Sequence, residues 1–233
     1  MDPIPFGLYP SRLGTPEQDQ EYVREATGFY AGGGDDVLIS GSMPVDTADA
    51  PGGYLVNPVV MSGGIGRDTY LFESDLYEWA FISDAGGGRD TITFEASHPF
   101  NPAFYDDDIR IDAVLINKRD VLITSTSLVD GGRSNGLIFA DPFGKLSKDN
   151  KLEKVQFGDE STSFRRFFKS IKKAAKAKDS YSDLYSYSKA SYSQLGEAGV
   201  LNLSGFEETS GLDDGSYIDI ATFNNSLVGA ELI

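Results

Sequence analysis

The stretch Gly63-Gly64-Ile65-Gly66-Arg67-Asp68-Thr69-Tyr70-Leu71 decides how this chain is read. Two others share its pattern: Ala31-Gly32-Gly33-Gly34-Asp35-Asp36-Val37-Leu38-Ile39 and Ala85-Gly86-Gly87-Gly88-Arg89-Asp90-Thr91-Ile92-Thr93. Each runs G-G-x-G-x-D-x-U-x, where U is a large apolar residue, and only the first glycine is replaced, by alanine, in the outer two. Glycine reaches positive φ without a Cβ clash, so closely spaced glycines bend the backbone tightly and expose its carbonyl oxygens. The aspartate adds a carboxylate. The x-U-x that follows is a short strand, with Leu38, Tyr70 and Ile92 predicted to point inward and their neighbours outward. One such stretch reads as a glycine turn between strands, whereas three between residues 31 and 93 read as a repeat.

Carbonyls and carboxylates together suit calcium, which takes about 6–8 oxygen ligands in irregular geometry. The pattern resembles the repeats-in-toxin, or haemolysin-type calcium-binding, family. That resemblance implies turns stacked into a parallel β-roll, with Ca2+ between them. Carried over to matching positions, Asp36, Asp68 and Asp90 supply carboxylates, while Gly32, Gly34, Gly64, Gly66, Gly86 and Gly88 shape the turns and offer carbonyls. The chain departs from the family in spacing. Family repeats place equivalent aspartates nine residues apart; here they lie 32 and 22 apart, which excludes a long unbroken roll. The 22-residue spacing pairs the second and third turns, with Phe81-Ile82-Ser83-Asp84 leading into the third, and leaves the first as an isolated relic.

The expected fold is mostly β: a short parallel β-roll on calcium turns, then an antiparallel β region with one or two inserted helices. Residues 1–30 are a lead-in, with Thr15-Pro16-Glu17-Gln18 opening a capping helix over 16–27. Residues 31–160 form the calcium-binding β region, with strands near 37–40, 54–61, 69–73, 79–83 and 91–95. Further strands are expected at 109–116, 121–124, 137–139 and 152–157. Residues 161–192 are a basic amphipathic helix and a Tyr/Ser-rich insertion. Phe164, Phe167, Phe168 and Ile171 share one helical face, and Arg165, Arg166, Lys169, Lys172 and Lys173 the other. The helix docks its phenylalanines on the β body; the competing use is a weak membrane-surface or protein contact through those four apolar residues. Residues 193–233 are C-terminal strands, and 224–233 serve as a final strand or as part of an export signal.

A formal net charge of −16 argues against nucleic acid and anionic membrane as partners of the body, and suits a chain that expects divalent cations. No cysteine is present, which excludes disulfides, thiolate zinc sites and cysteine nucleophiles. The opening residues lack a basic stretch and an apolar core, so no cleaved leader is expected. The resemblance implies leaderless type I export and an extracellular location. One histidine, His98, rules out H-E-x-x-H, and no G-x-S-x-G, P-loop or dinucleotide fingerprint occurs. No catalytic residue is assigned, and His98 beside Pro99 is expected in a surface loop. Asp106-Asp107-Asp108 and Asp213-Asp214 are expected to begin turns. Asp35 either supports a first calcium site or lies exposed. The expected role is structural or adhesive outside the cell, with calcium driving folding and an extracellular polysaccharide as a further partner. The alternative is a polysaccharide-acting hydrolase or lyase, or the C-terminal carrier of one.

Overall fold

The computed structural model describes residues 11–24, 28–41, 55–56, 59–73, 79–84, 86–96, 98, 100–101, 109–116, 118–127, 134–174, 185–190, 200–202 and 217–219. Strands dominate. They begin with β1 (Ser11–Leu13), β2 (Gln20–Arg24), β3 (Gly28–Gly33), β4 (Val37–Gly41), β5 (Leu55–Val56), β6 (Val59–Ile65), β7 (Thr69–Phe72), β8 (Trp79–Ile82) and β9 (Thr91–Phe94). β10 (Ile109–Ile116), β11 (Asp120–Ser127), β12 (Ser134–Phe139), β13 (Lys154–Phe157) and β14 (Glu160–Ser163) follow. Helix α1 (Phe164–Ala174) then precedes β15 (Tyr185–Ala190), β16 (Val200–Asn202) and β17 (Tyr217–Asp219).

Two sheets carry the architecture, in the orders β1-β3-β6-β8-β12-β11-β10-β15 and β14-β13-β9-β7-β4-β2; β16, β17 and β5 form a third, small one. One unit recurs along the chain: a strand in the first sheet, a turn, a strand in the second. Successive units, or rungs, are β1–β2, β3–β4, β6–β7, β8–β9 and β12–β13. Each pairs in parallel with the next through both of its strands. The first glycine turn is therefore no relic. Gly32 is in register with Gly64, and Val37 with Thr69. The irregular sequence spacing arises because the chain leaves the stack between rungs and re-enters it. The longest excursion holds the antiparallel meander β10–β11–β12, whose last strand returns as the first half of the fifth rung. The expected antiparallel region thus extends the first sheet.

The core lies between the sheets. Leu38, Tyr70, Ile92 and Val155 stand in register along the second sheet and are fully buried, as the U positions predict. Phe72, Phe94 and Phe157 form the next inward column, with ring centroids 5.4 and 5.0 Å apart. Phe29, Met61, Ile82 and Phe139 face them from the first sheet. That sheet is buried on its other face too: Val60, Phe81, Ile138, Leu122 and Val114 form a row, each at most 1% exposed. This is why β6 reads as a continuous apolar run while β7, β9 and β13 alternate.

Two expectations need correction here. Residues 20–24 are a strand and not part of a helix over 16–27. Pairing with β4 overrides the capping signal, and Thr15 Oγ1 instead accepts from Glu17 N–H in a tight turn. Helix α1 docks its phenylalanines on the β body as expected, and the competing membrane-surface or protein contact through them is the reading corrected. Phe164, Phe167, Phe168 and Ile171 are 0–6% exposed, and Phe164 packs edge-on against Phe139 at 5.0 Å. The helix supplies the second layer where the shorter sheet ends, and its basic residues Arg165, Arg166, Lys169 and Lys173 face solvent. Asp106-Asp107-Asp108, Asp213-Asp214 and residues 224–233 lie outside the described residues. No helix among the described residues is long and apolar enough to cross a membrane.

Candidate metal centre

The aspartates that end the glycine turns form a ladder along the stack. Asp36 Oδ1 accepts from Asp19 N–H at 2.7 Å, Asp68 Oδ1 from Asp36 N–H at 2.9 Å, and Asp90 Oδ1 from Asp68 N–H at 3.0 Å. Glu153 Oε2 continues it by accepting from Asp90 N–H at 3.2 Å. Each carboxylate thus satisfies a backbone donor of the preceding rung that the sheet leaves free. Asp19 and Glu153 belong to this ladder though neither follows a glycine motif; their signal was only their place before a strand. The glycines make the close stacking feasible. Gly66 and Gly88 both sit at φ +152, and a Cβ on either would overlap the carbonyl oxygen of Gly34 or Gly66 in the preceding turn. The turns are also linked directly, Gly34 N–H to Ile65 O at 2.9 Å and Gly66 N–H to Gly87 O at 3.2 Å.

Opposite this ladder the first sheet ends in a second inward column. Its register pairs Val59 with Ala80 and Met61 with Ile82, so one more alternation brings Gly63 opposite Asp84. The same column holds Ala31 in the second rung and Asp141 in the fifth. Across the turn the offset changes: Thr69 pairs with Thr91, one residue further along than the 21 separating Val59 from Ala80. The connection between β8 and β9 is thus one residue longer than that between β6 and β7. Gly63 leaves the space into which Asp84 and Asp68 reach, because a Cβ there would overlap the Asp68 carboxylate.

Asp68, Asp84 and Asp90 meet in this space. Each offers an oxygen, and the three oxygens lie within 4.8 Å of one another. The residues are 1%, 2% and 0% exposed. Asp68 Oδ2, Asp90 Oδ2 and both oxygens of Asp84 have no hydrogen-bond partner. Among the described residues no Lys or Arg pairs with the three; Arg12, Arg67, Arg119 and Lys151 pair instead with Glu21, Asp35, Asp120 and Glu153. Tyr70, fully buried beside the cluster, accepts from Gly63 N–H at 2.8 Å through its hydroxyl.

Burial is the leading electrostatic effect. It raises the Asp68 carboxyl to about 7, against the lowering by the Asp36 N–H and with further raising by Asp90, Asp36 and Asp35. Asp84 is also raised, by burial first and then by the carboxylate of Asp90 close beside it. Asp90 is raised by burial, with the nearby Asp84 carboxyl and the Asp68 N–H opposing. Without a cation the cluster therefore holds protons. With one, it presents a set of hard oxygen donors.

Of the residues predicted to hold metal, Asp68 and Asp90 meet, and Asp36 stands one rung away with Oδ2 buried and unpartnered. Gly32, Gly34, Gly64, Gly66, Gly86 and Gly88 lie in the stacked turns, where the carbonyls of Gly32, Gly34, Gly64 and Gly66 face the α-carbon of a glycine in the next turn. Asp84 was missed as a ligand; its signal was an acid at the end of an otherwise apolar strand. Asp35 is exposed and pairs with Arg67 at 3.7 Å. His98 is not in a surface loop. It is 1% exposed, between the Phe94 and Phe100 rings at 4.6 and 5.2 Å, and burial lowers its pKa to about 3. A cleft of about 560 Å³ between β13–β14 and α1 is lined in part by Asn101, Glu160, Thr162, Arg166 and Ser170. Among the described lining residues Glu160 is the one carboxylate. No protein-family model matches the chain, and no curated protein matches it.

Proposed function

We propose that the chain is a calcium-binding protein of the repeats-in-toxin type. Its stacked rungs are a short parallel β-roll, exported to take a structural or adhesive role outside the cell. One observation supports this above all: side chains from two successive aspartate-ended turns converge, and four of their buried oxygens have no partner. Oxygens on one calcium ion, bound at 2.3–2.6 Å, lie at most about 5 Å apart, and 4.8 Å is within that span. An all-oxygen set disfavours zinc, whose structural sites use nitrogen and sulfur. Magnesium demands a tighter octahedron and keeps its waters, which a buried cluster of carboxylates does not accommodate well.

Calcium here is a staple and performs no chemistry. Three buried carboxylates repel one another when ionised, and a divalent ion removes most of that charge. Extracellular calcium modules bind with Kd on the order of 10⁻⁴–10⁻³ M. At ten to a hundred times Kd one ion adds about 1.4–2.7 kcal/mol to stability. At cytosolic calcium the gain is near zero, which leaves the chain loose for export.

The test is thermal melting and circular dichroism in millimolar calcium, in millimolar magnesium and in chelator. Calcium alone should raise the melting temperature and the β signal. Equal melts in all three would reduce the glycine turns to ordinary bends.

A further inference from the structure

We propose that the chain takes one cation, not one per turn, and that the folded stack seals it in so that it exchanges only when the rungs part. This rests on the calcium reading above and gives it a location, a count and a mode of exchange.

The count follows from the two inward columns. A turn-end carboxylate needs a second acid across the stack to make a multidentate site. Beside Asp36 the opposite column holds Ala31, whose methyl brings no ligand. Beside Glu153 it holds Asp141, but that carboxylate is already satisfied by the N–H groups of Lys145, Leu146 and Ser147 at 2.7, 2.7 and 3.3 Å. Glu153 is paired with Lys151 at 2.8 Å. Among the described residues, only the junction of the third and fourth rungs has carboxylates in both columns with no donor for the inner ones. Asp84, 2% exposed with both oxygens unpartnered and aimed at the cluster, sets this junction apart from a mere patch of acids. Asp84 lies outside the glycine motif, so the ligand that decides occupancy is one the repeat does not encode.

The sealing follows from position. Asp68 belongs to the third rung, Asp84 and Asp90 to the fourth, so the site is completed only as the fourth rung settles on the third. Asp36 N–H and Asp68 N–H then close the ladder on one side, and Glu153 caps Asp90 on the other. Tyr70, Ile82 and Ile92, all fully buried, wall the interior. On the turn side the fifth rung follows, with Gly87 N–H bonded to Asp149 O at 3.0 Å. An ion held here has no open path to solvent while those bonds stand.

The experiment uses the full chain, unfolded in chelator and refolded with calcium, then counted by native mass spectrometry. One calcium per chain is expected in wild type and in Asp36→Asn, and none in Asp84→Asn, which keeps the shape and remains folded by circular dichroism. A chelator chase of the folded, loaded wild type should release the ion no faster than the amides of Asp68 and Asp90 exchange with deuterium. Two ions per chain, or one ion retained in Asp84→Asn, would overturn the location. Release within seconds from a chain whose amides stay protected would overturn the sealing. No ion in wild type after refolding would sink the calcium reading itself and this inference with it.

Discussion

At the scale of single residues, two buried titratable groups pull stability in opposite directions, and each has its own window of pH. Asp68 has its pKa raised by burial, to about 7 from an ordinary 3.8. In chelator its contribution is complete below about pH 4 and is lost as pH rises through about 7, since ionising it inside the stack is unfavourable. His98 has its pKa lowered to about 3, so its contribution is complete above about 6.5 and is lost as pH falls toward 3. Denaturant titrations in chelator should therefore show stability falling from pH 5 to 8 on account of the cluster. Asp84→Asn should flatten that alkaline fall, because a neutral amide replaces one of the three clustered carboxyls. His98→Asn should flatten the acid limb and leave the calcium response intact. A wild-type profile in chelator that rises from pH 5 to 8 would contradict the first. In calcium at pH 8 the order of the two proteins reverses: Asp84→Asn should melt about 3–10 °C below wild type, the loss of one bound ion in a chain of this size.

At the scale of elements, the turns and the helix make separate predictions. Gly66→Ala and Gly88→Ala each force a Cβ into the backbone of the preceding turn at a φ that L residues rarely adopt. Strained backbone costs about 1–3 kcal/mol and overpacking a similar amount, so each variant should lose at least about 2 kcal/mol in urea, in calcium and in chelator alike. A change that appears only in calcium would mean that these glycines serve the ion and not the stacking. Phe168→Ala on α1 should cost about 3–5 kcal/mol as a core truncation, whereas Lys169→Glu and Lys173→Glu should stay within about 0.5 kcal/mol. Binding of the wild-type helix to anionic vesicles would reverse that reading, since its apolar face is already used. These elements differ in how far the sequence revealed them. Strands with one wet face, β7 and β9, alternate and were found nearly to the residue, and the apolar face of α1 was read correctly inside a segment bounded only as 161–192. β1, β2 and β3 were missed because two are short or polar and the third ends in the glycine turn itself; only pairing along the stack makes them strands. Asp84 escaped because its place in the inward column beside Asp68 and Asp90 is visible only when the registers of the rungs are laid side by side. His98 escaped because its burial comes from Phe94 and Phe100 folding over it, which no local pattern encodes.

At the scale of the whole molecule, a stack of rungs is close to one-dimensional, each contacting mainly its neighbours, so an ion between the third and fourth joins the two halves on either side of it. Two effects of calcium must then be separated. The chain carries a formal net charge of −16, and any cation screens the repulsion among its exposed acids. Only an ion that reaches Asp68, Asp84 and Asp90 neutralises the interior. Sodium chloride discriminates between them: at about half-molar the screening length is about 4 Å, so exposed charges are quenched while buried ones are screened much less. Added salt should raise the wild-type melting temperature in chelator, because surface repulsion falls. Millimolar calcium should still add its own increment on top, about as large as at low salt, and Asp84→Asn should gain from salt while losing that increment. If half-molar sodium abolished the calcium increment in wild type, calcium would be a counterion for the surface alone, and the buried carboxylates would remain protonated partners of one another.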